Sequence, residues 1–251
     1  MSSIFKLSGK TAIVTGASRG LGGGIAIGLA EAGADIVGIG ISDMSEVQEK
    51  VESLGRKFYG ITADFSDLEA VKQSAHEAIK LAGKIDILVN NAGIIRREDA
   101  KDYSEEDWNA VININLNAVF AISSIVGNHM IENKHGKIIN IASMLSFQGG
   151  IRVPAYTASK HGVAGLTKAL SNEWIKHGVN VNAIAPGYMA TDNTEALRND
   201  PDRSTNILGR IPAGRWGTPE DLVGPAVFLA SDASDYVNGH VLCVDGGWMS
   251  S

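Results

Sequence analysis

Short β-branched runs and longer amphipathic stretches take turns along this chain, and that alternation restricts the fold more than any other feature. Strands are predicted at Thr11–Thr15, Asp35–Gly40, 58–63, 85–90, 137–142, 179–184 and Val241–Val244. Helices are predicted near 20–33, 43–55, 66–83, 104–131, 154–177 and 218–231. A parallel strand pair needs a crossover long enough to hold a helix, so this rhythm predicts an α/β fold: a doubly wound sheet of seven parallel strands with helices on both faces. Ser66 with Glu69, and Ser104 with Asp107, have the spacing of capping boxes, while Thr218-Pro219-Glu220-Asp221 puts proline and acids in a first helical turn. No repeat or linker-like run divides the 251 residues, which read as a single domain, 1–251. The connection 186–217 breaks the rhythm: it is far longer than the few residues usual in α/β units and reads as a lid or substrate loop.

Composition narrows the partners. The net charge of −6 argues against nucleic acid and anionic membrane surfaces, so an anionic ligand must be met by local positive groups. Cys243 is the only cysteine, which excludes an internal disulfide, disfavours a thiolate metal site and fits a reducing cytoplasm. Residues 1–10 lack the apolar centre of a signal peptide, and no apolar run is expected to approach membrane-spanning length.

The first strand runs directly into Gly16-Ala17-Ser18-Arg19-Gly20-Leu21-Gly22 and then into a helix-like stretch. Glycines there let the backbone turn sharply and approach a pyrophosphate, whose charge is met by free N–H groups and the dipole of the helix start. Asp64, after the third strand, has two readings, an acceptor for an adenine amino group or a turn residue for Ser66. Asn90-Asn91-Ala92-Gly93 closes the fourth strand, on the edge where open α/β sheets bind ligands.

Tyr156 and Lys160 are one helical turn apart and share a helix face. An ammonium beside a phenol favours the phenolate and is expected to lower a pKa that starts near about 10, which suits the tyrosine to exchanging protons with a substrate hydroxyl. Ser143 follows the fifth strand and can hold the substrate oxygen. Asn115, with Asn113 and Asn117 beside it, is a poor helix former inside a helix and is a candidate to hold a water linking Lys160 to solvent.

Taken in order, Thr15 to Gly22, Asn90 to Gly93, Asn115, Ser143, Tyr156-Thr157-Ala158-Ser159-Lys160 and Pro186-Gly187 resemble the motif set of the classical short-chain dehydrogenases/reductases, over essentially the whole chain. The resemblance implies a Rossmann-type fold and an oxidoreductase. It further implies Tyr156 as general acid/base, Ser143 polarising the substrate oxygen, Lys160 binding the nicotinamide ribose and Asn115 supporting a proton relay. By the same resemblance Pro186, Gly187 and Thr191 surround the nicotinamide, and the chain assembles as a homotetramer in which Asp245 to Trp248 take part.

The cofactor choice turns on the end of the second strand, where Gly38 to Asp43 hold no basic residue and Asp43 would repel a 2′-phosphate; Arg19 argues the other way. The expectation is NAD, with NADP allowed. Arg96, Arg97, Gln148, Arg152 and Tyr188 lie on predicted strand edges and the long loop, and arginines gathered at the pocket of an acidic protein suit a carboxylate-bearing small molecule. The stretches NNAGIIRREDA, IASMLSFQGGIRVPAY and NAIAPGYMATDNT (residues 90–100, 141–156 and 182–194) are similar to those of one group in the family, the 2-dehydro-3-deoxy-D-gluconate 5-dehydrogenases, also described as 2-deoxy-D-gluconate 3-dehydrogenases, which act in uronate breakdown. That similarity implies hydride transfer at a secondary alcohol or ketone of a deoxy sugar acid, with Gln148, Arg152 and Tyr188 in the substrate pocket and Arg152 first for the carboxylate. The alternative is an NADPH-dependent β-ketoacyl carrier-protein reductase, for which the scattered charge offers no basic docking patch.

Overall fold

Alternate residues of a strand face opposite sides of its sheet, and a sheet covered by helices on both sides must be apolar on both. In the computed structural model, which describes residues 3–251, this holds strand by strand. Ala12 and Val14 enter one core with Ile87, Val89, Ile139 and Ile141, while their neighbours Ile13, Leu88 and Ile138 enter a second core on the other face. The strands are β1 (Thr11–Thr15), β2 (Asp35–Gly40), β3 (Phe58–Thr62), β4 (Ile87–Asn90), β5 (Gly136–Ile141), β6 (Val179–Pro186) and β7 (Val241–Val244). They form one seven-stranded sheet in the order β3-β2-β1-β4-β5-β6-β7, and every neighbouring pair is parallel.

The helices are α1 (Gly20–Glu31), α2 (Ser45–Ser53), α3 (Leu68–Ala82), α4 (Glu105–Ile112), α5 (Ala118–Glu132), α6 (Pro154–Trp174), α7 (Glu195–Arg198), α8 (Pro201–Leu208) and α9 (Val223–Ala230). Buried residues of α1, α2 and α9 belong to the first core and those of α3 and α5 to the second, which Leu170 of α6 joins, while Val163 of α6 packs with Ala142, Ala183 and Ala185. The expected doubly wound fold is therefore the observed one. Met1 and Ser2 lie outside the described residues, and with them part of the expectation about residues 1–10.

Several expectations are corrected. The cap of α3 is Asp67, not Ser66: the Asp67 carboxylate accepts from the N–H groups of Glu69 (2.9 Å) and Ala70 (3.2 Å). Ser66 instead donates to Asp64 through its own N–H and hydroxyl, both at 2.8 Å. Ser104 does cap α4 by accepting from Asp107 N, and Thr218 with Asp221 forms a reciprocal cap. The helix expected at 104–131 is α4 and α5 joined by one wide π turn at Asn113–Asn117. Within Glu105–Glu132 a window of 18 residues reaches a mean hydropathy of 1.7, so one helix is long and apolar enough to span a membrane, contrary to expectation. Val111 and, from α5, Ala118, Ile122, Val126 and Met130 are buried in the protein, and Trp108 and Phe120 remain exposed. The long connection 186–217 is not structureless, since it carries α7 and α8. Its base is pinned by a parallel bridge between Met189 and Gly217, with Ala190 N donating to Gly217 O at 2.7 Å.

Strand order reverses between β1 and β4, which are neighbours in the sheet but not in sequence. The helices that follow them leave on opposite sides, and a crevice opens at the carboxyl ends of these two strands. Close packing on the first face brings α1 against α9: a Cβ at Gly28 would overlap the side chain of Val223. Gly28→Ala is expected to lower the unfolding free energy by roughly 1–3 kcal/mol, because the added methyl overfills a packed contact. The denaturation midpoint in urea measures this, and an unchanged midpoint would contradict the packing described.

Candidate active site

The crevice is built by polar groups that tie β1 to β4. Thr15 Oγ1 accepts from Asn91 N and Ala92 N, each at 2.9 Å, and donates to Val89 O at 3.4 Å. The Asn91 side-chain amide donates to the carbonyls of Thr15 (2.9 Å) and Gly16 (3.3 Å). Behind it, buried Asn90 donates to Ser123 Oγ and Asn140 Oδ1. Both asparagines therefore spend their amide N–H groups on the scaffold, and Asn91 reaches the crevice wall only beside those bonds.

The glycine turn fits a dinucleotide phosphate. Gly16 and Gly20 have φ of +65° and +56°, which glycine adopts without strain. At Gly22 a Cβ would overlap the Gly16 carbonyl and the Asn91 amide, whereas at Gly20 nothing lies nearer than Thr191 Cγ2 at 4.0 Å. Gly22 is thus needed for close approach of backbone to backbone, and Gly20 leaves open room for a ligand. Arg19 precedes α1 in extended backbone, and no side chain caps the first N–H groups of that helix. Unpaired N–H groups at the positive end of a helix dipole suit a phosphate, so these residues fit a bound nicotinamide dinucleotide.

Ser143, Tyr156 and Lys160 converge on the wall of one cavity of about 670 Å³. β5 and α6 deliver them. Lys160 is buried; its Nζ donates to Ile141 O at 2.6 Å and sits 5.5 Å from the centre of the Tyr156 ring. Burial in an uncharged setting lowers its pKa from 10.5 to about 8. The Ser143 hydroxyl hydrogen-bonds the Tyr156 phenol and accepts from Leu145 N at 3.1 Å. Ser146 Oγ donates to Lys160 O at 2.7 Å, tying the serine turn to the helix. The phenol pKa is raised, not lowered as the spacing suggested: desolvation outweighs the opposing hydrogen bond from Ser143 and the charge of Arg97. Lys160 does not supply the lowering because its amine points to the β5 backbone.

Other predicted residues divide. Gly16, Ser18, Arg19, Gly20, Leu21, Asp64, Asn91, Ala92, Gly93, Gln148, Arg152, Gly187, Tyr188 and Thr191 line the same cavity. Gly22, Asn115 and Pro186 do not; Pro186 ends β6 inside the sheet. Asn115 sits in the π turn, where Oδ1 accepts from Ile94 N (2.8 Å) and Nδ2 donates to Ile94 O (2.9 Å) and Ser159 Oγ (3.2 Å). Both amide N–H groups are spent, so a water there is met only by the second lone pair of Oδ1 or by main chain. Asp64 serves the turn with Ser66 and also reaches the cavity.

Two charge arguments made from sequence fail. Asp43 is absent from the cavity wall because its carboxylate accepts from Ser45 N (3.1 Å) and Ser45 Oγ (2.5 Å); Ser42 faces the cavity instead. Arg152 is ion-paired with Asp99 (2.9 Å) and Glu98 (3.4 Å), so it is not a free partner for a substrate carboxylate. Tyr188 is held edge-on between Trp216 and Trp248. Sequence reading missed the Thr15 hydroxyl, whose only signal was its place at the end of β1. It also missed Trp248 as a cavity residue, for which chain position carries no signal.

A family model described as enoyl-(acyl carrier protein) reductase, of the short-chain dehydrogenase type, matches residues 16–249. The chain belongs to the short-chain dehydrogenase/reductase family and is an NAD(P)-dependent oxidoreductase. It is 61% identical over 247 residues to the 2-dehydro-3-deoxy-D-gluconate 5-dehydrogenase of Dickeya dadantii, covering 98% of each chain. It is 59% identical to the Escherichia coli enzyme of the same name, over 99% of this chain and 98% of that one. An Agrobacterium tumefaciens structure with bound NADP, assigned as a 2-deoxy-D-gluconate 3-dehydrogenase, superposes with a TM-score of 0.95 at 52% identity, each chain wholly covered.

The depressed Lys160 pKa gives a testable pH dependence. The native amine releases its proton near 8 and the unfolded one near 10.5, so within that window the unfolded state binds more protons and stability climbs with pH. Lys160→Met should remove this climb, read as urea midpoints across the window. Parallel pH slopes for the two proteins would refute a burial-depressed amine.

Proposed function

We propose that the protein interconverts 2-dehydro-3-deoxy-D-gluconate and its 5-keto product, oxidising the C5 secondary alcohol with NAD(P)+ or reducing the ketone with NAD(P)H. The observation that carries this reading is the convergence of Ser143, Tyr156 and Lys160 on one cavity wall. Full-length identity to enzymes of that name supports the choice of substrate.

When bound, the nicotinamide supplies or accepts the hydride. The residues that would hold the dinucleotide are the Gly16 to Gly22 turn, Asp64, Asn91 to Gly93, Tyr156, Lys160, Pro186, Gly187 and Thr191. Of these, Gly22 and Pro186 act by shaping backbone and not by contact. Tyr156 carries its proton at pH 7, as an ordinary phenol does, and burial only strengthens that state, so the proton is present for the oxygen of a ketone being reduced. In the oxidative direction Tyr156 takes the alcohol proton. Ser143 holds the same oxygen by a hydrogen bond that also favours the phenolate, and Lys160, its amine anchored on Ile141 O, would hold the nicotinamide ribose. Asn115 orders the Ile94 and Ser159 backbone and side chain behind the site, supporting a relay through water. Gln148 and Tyr188 belong to the substrate end of the cavity, and 186–217 acts as the substrate loop.

Both cofactors are accepted in this reading. Asp43 stays charged but is turned to Ser45 and off the cavity wall, where Arg19 and Ser42 stand instead. The remaining assignments are a cytoplasmic enzyme of uronate breakdown that assembles as a homotetramer. The exposed Trp108 and Phe120 on the long apolar helix support assembly, and the lone, exposed Cys243 suits a reducing compartment.

Cofactor absorbance, followed with keto sugar acids and acetoacetyl thioesters and with NADH and NADPH, tests this directly. Turnover confined to the thioester would replace the reading by a β-ketoacyl carrier-protein reductase. Tyr156→Phe should reduce kcat by about a hundredfold to ten-thousandfold while cofactor affinity holds; a variant as fast as wild type would remove Tyr156 from the chemistry. Arg19→Ala should weaken NADPH binding about tenfold, the worth of one charge-assisted hydrogen bond, with NADH little changed. Fluorescence titration of the two cofactors reads that ratio, and equal losses would exclude a 2′-phosphate contact.

A further inference from the structure

We propose that Arg210, whose guanidinium carbon lies over the Trp248 indole, is the group that reads the substrate carboxylate. The proposal rests on the sugar-acid reading above and goes further by assigning the acid end of the cavity. A carboxylate entering an acidic protein needs a cation not already neutralised. Five arginines line the cavity: Arg19, Arg97, Arg152, Arg203 and Arg210. Arg19 is paired with Asp192 at 3.4 Å, and Arg152 with Asp99 and Glu98. Arg97 acts on the Tyr156 phenol through its charge, so it belongs to the reacting end. The carboxylate carbon of a six-carbon acid oxidised at C5 lies four bonds from the reacting carbon, about 5 Å in an extended chain with C–C bonds of about 1.5 Å.

Arg203 and Arg210 remain, with no acid within ion-pair distance among the described residues. Of the two, only Arg210 is held in place. Its guanidinium carbon lies 4.0 Å from the centre of the Trp248 ring, and Tyr188 packs edge-on against the same ring at 4.9 Å. Stacking on an aromatic face fixes the plane of a guanidinium while leaving its N–H edge free, and that edge matches a carboxylate with two parallel hydrogen bonds. A second observation points to a ligand here. Trp248 is 5% exposed, lines the cavity, and its indole N–H has no partner among the described residues. Buried indole N–H groups normally find an acceptor, so this ring is held by packing with its polar group unmet beside Arg210. Arg210 follows α8 and Trp248 follows β7, so the subsite joins the long loop to the carboxyl-terminal turn, where Ala213 N donates to Gly246 O at 2.9 Å.

The test compares wild type, Arg210→Gln and Arg210→Lys on 2-dehydro-3-deoxy-D-gluconate and on its methyl ester, with NADH fluorescence titration as the check on folding. The expected result is a tenfold to hundredfold rise in KM for the acid in Arg210→Gln, partial recovery in Arg210→Lys, and little change for the ester or for cofactor affinity. A second arm does not require the acid to be a substrate: D-gluconate should bind the NADH-loaded wild type, read by calorimetry, and about tenfold more weakly the Arg210→Gln variant. If wild type fails to turn over the acid but gluconate binding is weakened in the variant, the subsite stands and the substrate assignment falls. Equal losses on acid and ester, or gluconate binding that survives unchanged in Arg210→Gln, would overturn the proposal.

Discussion

The hydroxyl of Thr15 joins the two halves of the sheet at the one place where their strand order reverses. It accepts the N–H groups of Asn91 and Ala92, while the Asn91 amide returns bonds to the carbonyls of Thr15 and Gly16. Strands that end in a crevice leave backbone groups with no ladder partner, and buried groups of that kind must be satisfied or destabilise the fold. Here one hydroxyl and one amide satisfy them. The N–H groups of the glycine turn and of the first turn of α1 are thereby left for a ligand, since nothing in the scaffold requires them.

A second constraint acts at the reacting end, where the fold buries an amine and a phenol together. Desolvation pushes both toward their neutral forms: Lys160 down to about 8 and Tyr156 upward. The protein partly offsets the cost with the Ile141 carbonyl, which accepts from the amine, and with Ser143, which bonds the phenol. A proton at that site is held loosely by the amine and firmly by the phenol. The tyrosine therefore stands protonated for ketone reduction, and the Ser143 hydrogen bond and the Arg97 charge are what favour its phenolate in the reverse direction.

Elsewhere on the cavity wall the arginines are sorted by their partners. Arg152 clamps the segment holding Glu98 and Asp99, and its backbone, at φ +64°, is held in a conformation that side chains seldom adopt. Arg19 spans from the glycine turn to Asp192 on the long loop, so the phosphate end and the loop share one ion pair. Arg210 alone combines a fixed plane with an unpaired edge. Within an acidic molecule this sorting, and not the number of arginines, decides where an anion can settle.

The chain's own pattern determined much of this protein. All seven strands, the glycine turn, the Ser104 cap and the one-turn spacing of Tyr156 and Lys160 are set by residues near each other in sequence, because side-chain periodicity and turn chemistry are local. The misplaced cap at Ser66, where Asp67 serves instead, differs by a single residue between two equally suitable oxygens. Only the tertiary structure decided that Asp43 turns to Ser45, that Arg152 is spent on Asp99, that the Asn115 amide N–H groups are taken by Ile94 and Ser159, and that the Tyr156 pKa rises. Most of those outcomes depend on which distant segments meet and on how much water they exclude. Pairing and desolvation act through space, and no spacing along the chain encodes them.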